Sequence, residues 1–219
     1  MKSHGQTALF VLYYKVDMYC TVCCFAIVED ARTGVPFPHL TQGKETAMTL
    51  LVLSDSHGRS DLIEDVIRRV RPDGVLFAGD GLRDLTRVDI PAPLWVVSGN
   101  CDWLSSPLII QGREWEPAAE ELISVEGIRI LLMHGHKRDV KSGPARAIYR
   151  ALELEADILV YGHTHLPVEY CLRPDDPRSA FELTKPLTVF NPGSLGDRNG
   201  SFGTITIRRG QILCGHGTV

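Results

Sequence analysis

Five short apolar runs, each ending in glycine and in side chains that bind metals, constrain this chain more than any other feature. Leu50–Leu53 runs into Ser54-Asp55-Ser56-His57-Gly58, and Val75–Ala78 into Gly79-Asp80-Gly81. Leu94–Val97 is followed by Ser98-Gly99-Asn100-Cys101-Asp102, Ile128–Met133 by His134-Gly135-His136, and Ile158–Tyr161 by Gly162-His163-Thr164-His165. Apolar runs this short, bounded by glycine and polar residues, read as buried strands rather than helices. In open α/β sheets the residues just beyond the carboxyl ends of strands converge on one crevice. Asp55, His57, Asp80, Asn100, His134, His163 and His165 are therefore expected to meet, although the first and last are 110 positions apart in the chain.

The segments between these runs supply the rest of an α/β fold. Asp61–Val70 carries Leu62, Ile63, Val66, Ile67 and Val70 at helical spacing, with Ser60 as the expected N-cap and Pro72 as the stop. Pro144–Leu154 reads as a second helix, with Ala147, Ile148, Ala151, Leu152 and Leu154 on its apolar side. Leu122–Val125 and Ile128–Met133 form a hairpin about Glu126-Gly127. Beyond Leu166 the pattern turns to strands, at Val168–Leu172, Leu187–Phe190, Gly203–Ile207 and Gln211–Cys214. Strands with helical crossovers followed by a strand-rich half imply two packed sheets with helices outside.

Residues 1–47 look different. They hold Cys20, Cys23 and Cys24, half of the six cysteines, and end in the turn-rich Gly34-Val35-Pro36-Phe37-Pro38. Met48 then opens the first strand, so 1–47 read as an N-terminal extension, unstructured or upstream of the native start, and 48–219 as the domain. The six cysteines show no disulfide framework, and a chain of this size needs none, so they read as thiols of a cytoplasmic protein. Cys20 and Cys23 have no second pair nearby to complete a zinc site. A net charge of −4 does not suit a nucleic-acid binder or a membrane-surface protein, and no apolar stretch is long enough to span a bilayer.

Imidazole together with carboxylate suits Mn²⁺, Fe²⁺, Ni²⁺ or Zn²⁺ better than Ca²⁺. Seven donors exceed one tetrahedral or open octahedral site. Two cations about 3.5–4 Å apart, bridged by Asp80, account for all of them. A hydroxide bridging the ions would attack phosphorus, while both ions polarise the phosphoryl oxygens. Taken singly, each fragment is an ordinary loop: a turn at Gly-Asp, an Asn at positive φ, a hydrogen-bonded core-edge histidine. Five of them in order, each after a strand, are not.

The series Asp55-x-His57, Gly79-Asp80, Gly99-Asn100-Cys101-Asp102, His134-Gly135-His136 and Gly162-His163-x-His165 resembles the calcineurin-like metallophosphoesterases. The modest length and Asn191-Pro192-Gly193-Ser194 resemble the small YfcE-type phosphodiesterase branch. The likeness runs from about Met48 to the C-terminus. It implies a four-layer α/β/β/α sandwich of two mixed sheets flanked by helices, and a manganese-type dinuclear site in which Ni²⁺, Fe²⁺, Zn²⁺ or Mg²⁺ can substitute. It also implies the ligand sets: Asp55, His57, Asp80 and His165 for one metal; Asp80, Asn100, His134 and His163 for the other. Oligomers are common in the branch, so a homo-oligomer stays open.

Asn100 and Cys101 are the expected catalytic pair. Many phosphatases of the wider superfamily carry His after the metal-binding Asn, to protonate the leaving group. Here Cys101 stands there, as it tends to in the small-phosphodiesterase branch. A thiol is a poorer acid in this role and cannot become cationic opposite a phosphate dianion. Phosphodiesters are therefore the expected substrates, with a phosphomonoesterase or nucleotide phosphatase as the alternative and a scaffold on the same fold as the remote one. Cys101 as a mere packing residue also stays open. Arg59 reads as a solvated helix-start residue or a phosphate contact, and His136 as an orienter of the His134 loop. His216 reads as exposed, and Asn191–Ser194 as a structural turn near the site. With no capping insertion, basic groove or series of stacking aromatics, the substrate reads as a small phosphoester and not a long nucleic acid.

Overall fold

Strand β1 (Met48–Leu53) is buried on both faces from Leu50 to Leu53, which is why that stretch is continuously apolar instead of alternating. It lies at the centre of a computed structural model that describes residues 47–103, 107–177 and 179–219. The proposed extension, with Cys20, Cys23 and Cys24, falls on residues outside that set apart from Ala47.

Helix α1 (Ser60–Val70) follows, then β2 (Gly74–Phe77), the four-residue helix α2 (Leu82–Leu85) and β3 (Leu94–Val96). β1 pairs with β2, and β2 with β3, in parallel, as strands joined by crossovers do. Next come β4 (Leu108–Ile110) and β5 (Arg113–Trp115), a small separate hairpin. Then β6 (Glu120–Val125) and β7 (Ile128–Met133) meet about Glu126 and Gly127, both at positive φ, the backbone that a two-residue hairpin demands. Helix α3 (Ala145–Glu153) leads to β8 (Ile158–Tyr161), and the chain ends in β9 (Pro167–Leu172), β10 (Leu187–Pro192), β11 (Ser201–Arg208) and β12 (Gln211–Thr218).

Two mixed five-stranded sheets result, β12-β11-β1-β2-β3 and β6-β7-β8-β10-β9. Their inner faces enclose one apolar layer containing Leu50, Val52, Leu76, Ile130, Leu132, Ile158, Val160, Phe190 and Ile205. The outer face of the first sheet packs Leu51, Leu53, Val75 and Phe77 against Ile63, Val66 and Ile67 of α1. That of the second packs Leu131, Met133 and Leu159 against Ala147, Ile148 and Ala151 of α3. The order of layers is α/β/β/α.

The helix starts differ from expectation. Arg59, not Ser60, is the N-cap of α1: its carbonyl accepts from the Leu62 and Ile63 N–H groups, and Ser60 is already helical. No side chain caps this end, and Asp61 in the first turn faces the positive end of the helix dipole. Pro144 is likewise the N-cap of α3 rather than its first helical residue. Arg71 ends α1 in the left-handed region, one residue before Pro72.

Candidate metal centre

The carboxyl ends of β1, β2 and β3 in one sheet and of β7 and β8 in the other open at the same edge of the sandwich. All seven expected donors gather there, in two overlapping groups. Asp55, His57 and His165 form one, with ligand atoms within 4.8 Å of one another; Asp80, His134 and His163 form the other. His57, Asp80 and Cys101 satisfy the same distance and link the two. Asn100 joins the second group, with its Oδ1 3.2 Å from His134 Nε2.

The backbone is strained to achieve this. Of the eleven non-glycine residues at positive φ among the described residues, five are Asp55, His57, Asp80, His163 and His165. Such conformations cost about 1–3 kcal/mol each and concentrate where function needs them. Two glycines allow the loops to close. A Cβ on Gly99 would lie 2.0 Å from Asp80 Oδ1, and one on Gly162 would lie 1.9 Å from Ser54 Oγ.

Hydrogen bonds aim the rings. His134 Nδ1 lies 2.7 Å from the Ala78 carbonyl and must donate to it, which leaves the Nε2 lone pair of the neutral ring facing inward. His165 Nδ1 lies 3.1 Å from Asp197, the carboxylate–histidine pairing that fixes a metal-binding imidazole. His134 Nε2 is then 3.1 Å from His163 Nδ1, and His57 Nε2 is 3.5 Å from His165 Nε2. Nitrogen lone pairs this close repel unless a proton or cation lies between them.

The carboxylates point the same way. Asp55 Oδ1 is buried with no hydrogen-bond partner; its nearest nitrogen, His165 Nε2 at 3.2 Å, is badly angled for one. Burial raises the Asp55 pKa. Asp80 accepts from the Cys101 N–H at Oδ1 (2.7 Å), and its Oδ2 faces His134 Nε2 at 3.3 Å, so its two oxygens serve different neighbours. Burial alone would raise its pKa, but the bonds from His134 and Cys101 outweigh that and hold it well below the usual carboxylate range. Burial opposes charge on His134, yet Asp80 and Asp55 raise its pKa above the ordinary value. Burial and the neighbouring His134 lower His163 to about 4, so its ring is neutral near pH 7. An orphaned buried carboxylate oxygen among inward-facing imidazole nitrogens fits divalent cations of the Mn²⁺–Zn²⁺ series.

Further residues support the donor loops, and Asp84 among them escaped the sequence reading. Asp102 accepts from the N–H groups of Asp80, Gly81, Leu82 and Gly99, at 2.8–2.9 Å, and so fixes two donor loops to each other. Asp84 holds Ser56 Oγ (2.6 Å) and the Gly58 N–H (2.8 Å). Asn191 donates to the Gly162 carbonyl and to Thr164 Oγ1, and Ser194 Oγ donates to the Asp55 carbonyl. Asn191 and Pro192, expected in a tight turn, instead end β10, and Asn191 and Ser194 brace the loops of the site. Asp102, two positions after Asn100, had a visible signal, as had Asn191–Ser194; Asp84 depends on contacts across the fold.

The remaining candidates separate clearly. Arg59 is held by Asp61 through two bonds, 2.9 and 2.8 Å, and is committed locally. His136 sits on a short 3-10 turn beside His134, ring centroids 5.4 Å apart. His216 is exposed, as expected, but also donates to the Asn191 carbonyl at 2.7 Å and stacks on Phe190. Cys101 is an exposed free thiol beside Asn100, whose Nδ2 lies 3.2 Å from its sulfur. Burial of the sulfur and the Asp80 carboxylate push its pKa up to about 11.

Comparison with known proteins agrees with this geometry. Residues 48–210 match the model of the calcineurin-like phosphoesterase superfamily domain. Over 149 residues the chain is 32% identical to a probable metallophosphoesterase of Mycoplasma pneumoniae, covering 67% of this chain and 78% of that one. It is 29% identical to the Escherichia coli phosphodiesterase YfcE, over 68% of this chain and 79% of that one. In fold it is similar to a predicted phosphoesterase of Streptococcus pneumoniae (TM-score 0.57, 24% identity, 79% of this chain and 90% of that one). It is also similar to vacuolar protein sorting 29 of Cryptosporidium parvum (TM-score 0.57, 17% identity, 79% and 98%). With its strand-end donors and a family match over most of its length, this chain belongs to the calcineurin-like phosphoesterase superfamily.

Proposed function

We propose that this protein hydrolyses small phosphodiesters with two divalent cations, manganese foremost, held by Asp55, His57, Asp80, Asn100, His134, His163 and His165. The observation that carries the reading is the buried Asp80 carboxylate, with one oxygen toward Cys101 and His134 against the other. Asp55, His57, Asp80 and His165 would hold one ion, and Asp80, Asn100, His134 and His163 the other. Bound there, such ions supply Lewis acidity, polarising phosphoryl oxygens and lowering the pKa of coordinated water.

The protein's own groups set the geometry and the preference. Ala78 and Asp197 keep the inward nitrogens of His134 and His165 available as ligands. Asp102 fixes the spacing of the Asp80 and Asn100 loops. Cys101 stays a neutral thiol near pH 7, since its pKa lies at about 11. It neither offers a cation to a monoester dianion nor readily gives a proton to a poor leaving group. A singly charged diester with a good leaving group needs neither. A cytoplasmic setting belongs to the same reading, supported by the free thiols Cys101, Cys171 and Cys214. Among the described residues no helix is long and apolar enough to cross a membrane.

Likeness to vacuolar protein sorting 29 is one of fold and does not carry a scaffold role here. The test is a matched pair, p-nitrophenyl phosphate and bis(p-nitrophenyl) phosphate, on protein reconstituted with Mn²⁺, Ni²⁺, Zn²⁺ or Mg²⁺. The diester should have the higher kcat/KM, with Asp80→Asn inactive on both. A wide preference for the monoester would overturn the diester assignment.

A further inference from the structure

Beside the donor cluster lies a cleft lined by His57, Asp80 and Cys101 together with Gly81, Arg83 and Trp103. Trp103 is 82% exposed, the most exposed large apolar side chain among the described residues. A free indole costs hydration without return, and here it lines a cleft shared with the donor cluster. Its backbone is anchored: its carbonyl accepts from Arg83 at 3.3 Å, and next to it Asp102 is held by four backbone N–H groups. The ring is thus presented from a fixed point on the chain, on the Cys101 side of the cluster.

We infer that Trp103 is a specificity-determining residue that stacks on a planar aromatic ring carried by one ester group of the substrate. The inference rests on the phosphodiesterase reading and narrows its substrate class to diesters with an aromatic or heteroaromatic ester group. A diester bound at the cluster has two ester arms, and the cleft that joins the cluster to the indole takes the arm that is retained while the other leaves. Ring–indole stacking tolerates any flat π-face, so an aryl alcohol and a nucleoside share the required chemistry. Arg83 acts as a positioning residue, through the Trp103 carbonyl.

The test compares phenyl p-nitrophenyl phosphate, thymidine 5′-(p-nitrophenyl phosphate) and methyl p-nitrophenyl phosphate, which share a leaving group, on metal-loaded wild type, Trp103→Ala and Trp103→Phe. Wild type should prefer the two aromatic esters over the methyl ester. That preference should fall about tenfold in Trp103→Ala, mainly through KM, and return largely in Trp103→Phe. Preference for only the phenyl or only the thymidine ester tells an aryl substrate from a nucleoside. Independently of turnover, phenylphosphonate, whose P–C bond is not cleaved, should quench wild-type tryptophan fluorescence, and Trp103→Phe should abolish that quenching. If all diesters are cleaved with equal aromatic preference in wild type and Trp103→Ala, the inference fails while the phosphodiesterase reading stands. If wild type cleaves none of them, both fail.

Discussion

Asp102 does more to hold the site together than its ordinary sequence context suggests. One carboxylate satisfies four backbone N–H groups from two loops that carry Asp80 and Asn100. Asp102→Asn puts an amide donor where an acceptor is needed and leaves at least one loop N–H unpaired, at about 1–3 kcal/mol. Metal affinity should drop about 10–100-fold, as it does when groups supporting metal ligands are lost, while the far-UV spectrum is unchanged. A Mn²⁺ titration of the variant checks this. Mutation of Arg59, committed to Asp61 on the exposed surface, should leave kcat/KM for diesters within about twofold. A tenfold loss would return Arg59 to the phosphate. At this scale the gathering of the seven side chains at one edge was legible because each follows a strand. Asp84 and Asp197 were not, because their partners lie 26 or more positions away, and nothing local distinguishes them from turn residues.

Elements show what short-range pattern can and cannot reveal. α1, α3 and the buried strands were readable from apolar spacing. The β4–β5 hairpin was not, for its strands are three residues each, and Ile109 is exposed. Its turn, Gln111-Gly112 at positive φ, was the available sign. The start of α1 was misjudged because Ser60 suits an N-cap, but the chain turns one residue earlier. Where α3 meets the second sheet, Glu120 of β6 is bridged by Arg150 of α3 (2.8 Å) and by Arg138 (2.8 Å). Burial alone would raise the Glu120 pKa, yet hydrogen bonds from the two guanidiniums lower it below the ordinary value. A depressed carboxyl pKa stabilises the fold at pH above the unfolded pKa, about 4.3, and loses that contribution as pH falls through the folded pKa. The stability gap between wild type and Glu120→Gln should therefore be full at pH 7 and shrink below about pH 4. Urea melts at both pH values measure it. Replacing buried Ile148 of α3 by Ala should cost about 2–5 kcal/mol in the same melts.

The whole molecule is built so that its site belongs to neither sheet alone. Asp55, His57, Asp80 and Asn100 come from the ends of one, and His134, His163 and His165 from the ends of the other. Cations that bridge these groups would fasten the two sheets together at that edge, and ligand binding to the folded state raises apparent stability by mass action. Chelation should accordingly lower Tm, and Mn²⁺ should restore it. The central claim is that seven side chains hold two ions through a shared Asp80, and metal counting tests it most directly. Protein equilibrated with excess Mn²⁺ and dialysed should hold two ions per chain, and Asp80→Asn should hold at most one while remaining folded. A wild-type count of one or none, or an Asp80→Asn variant that keeps both ions, would contradict the account.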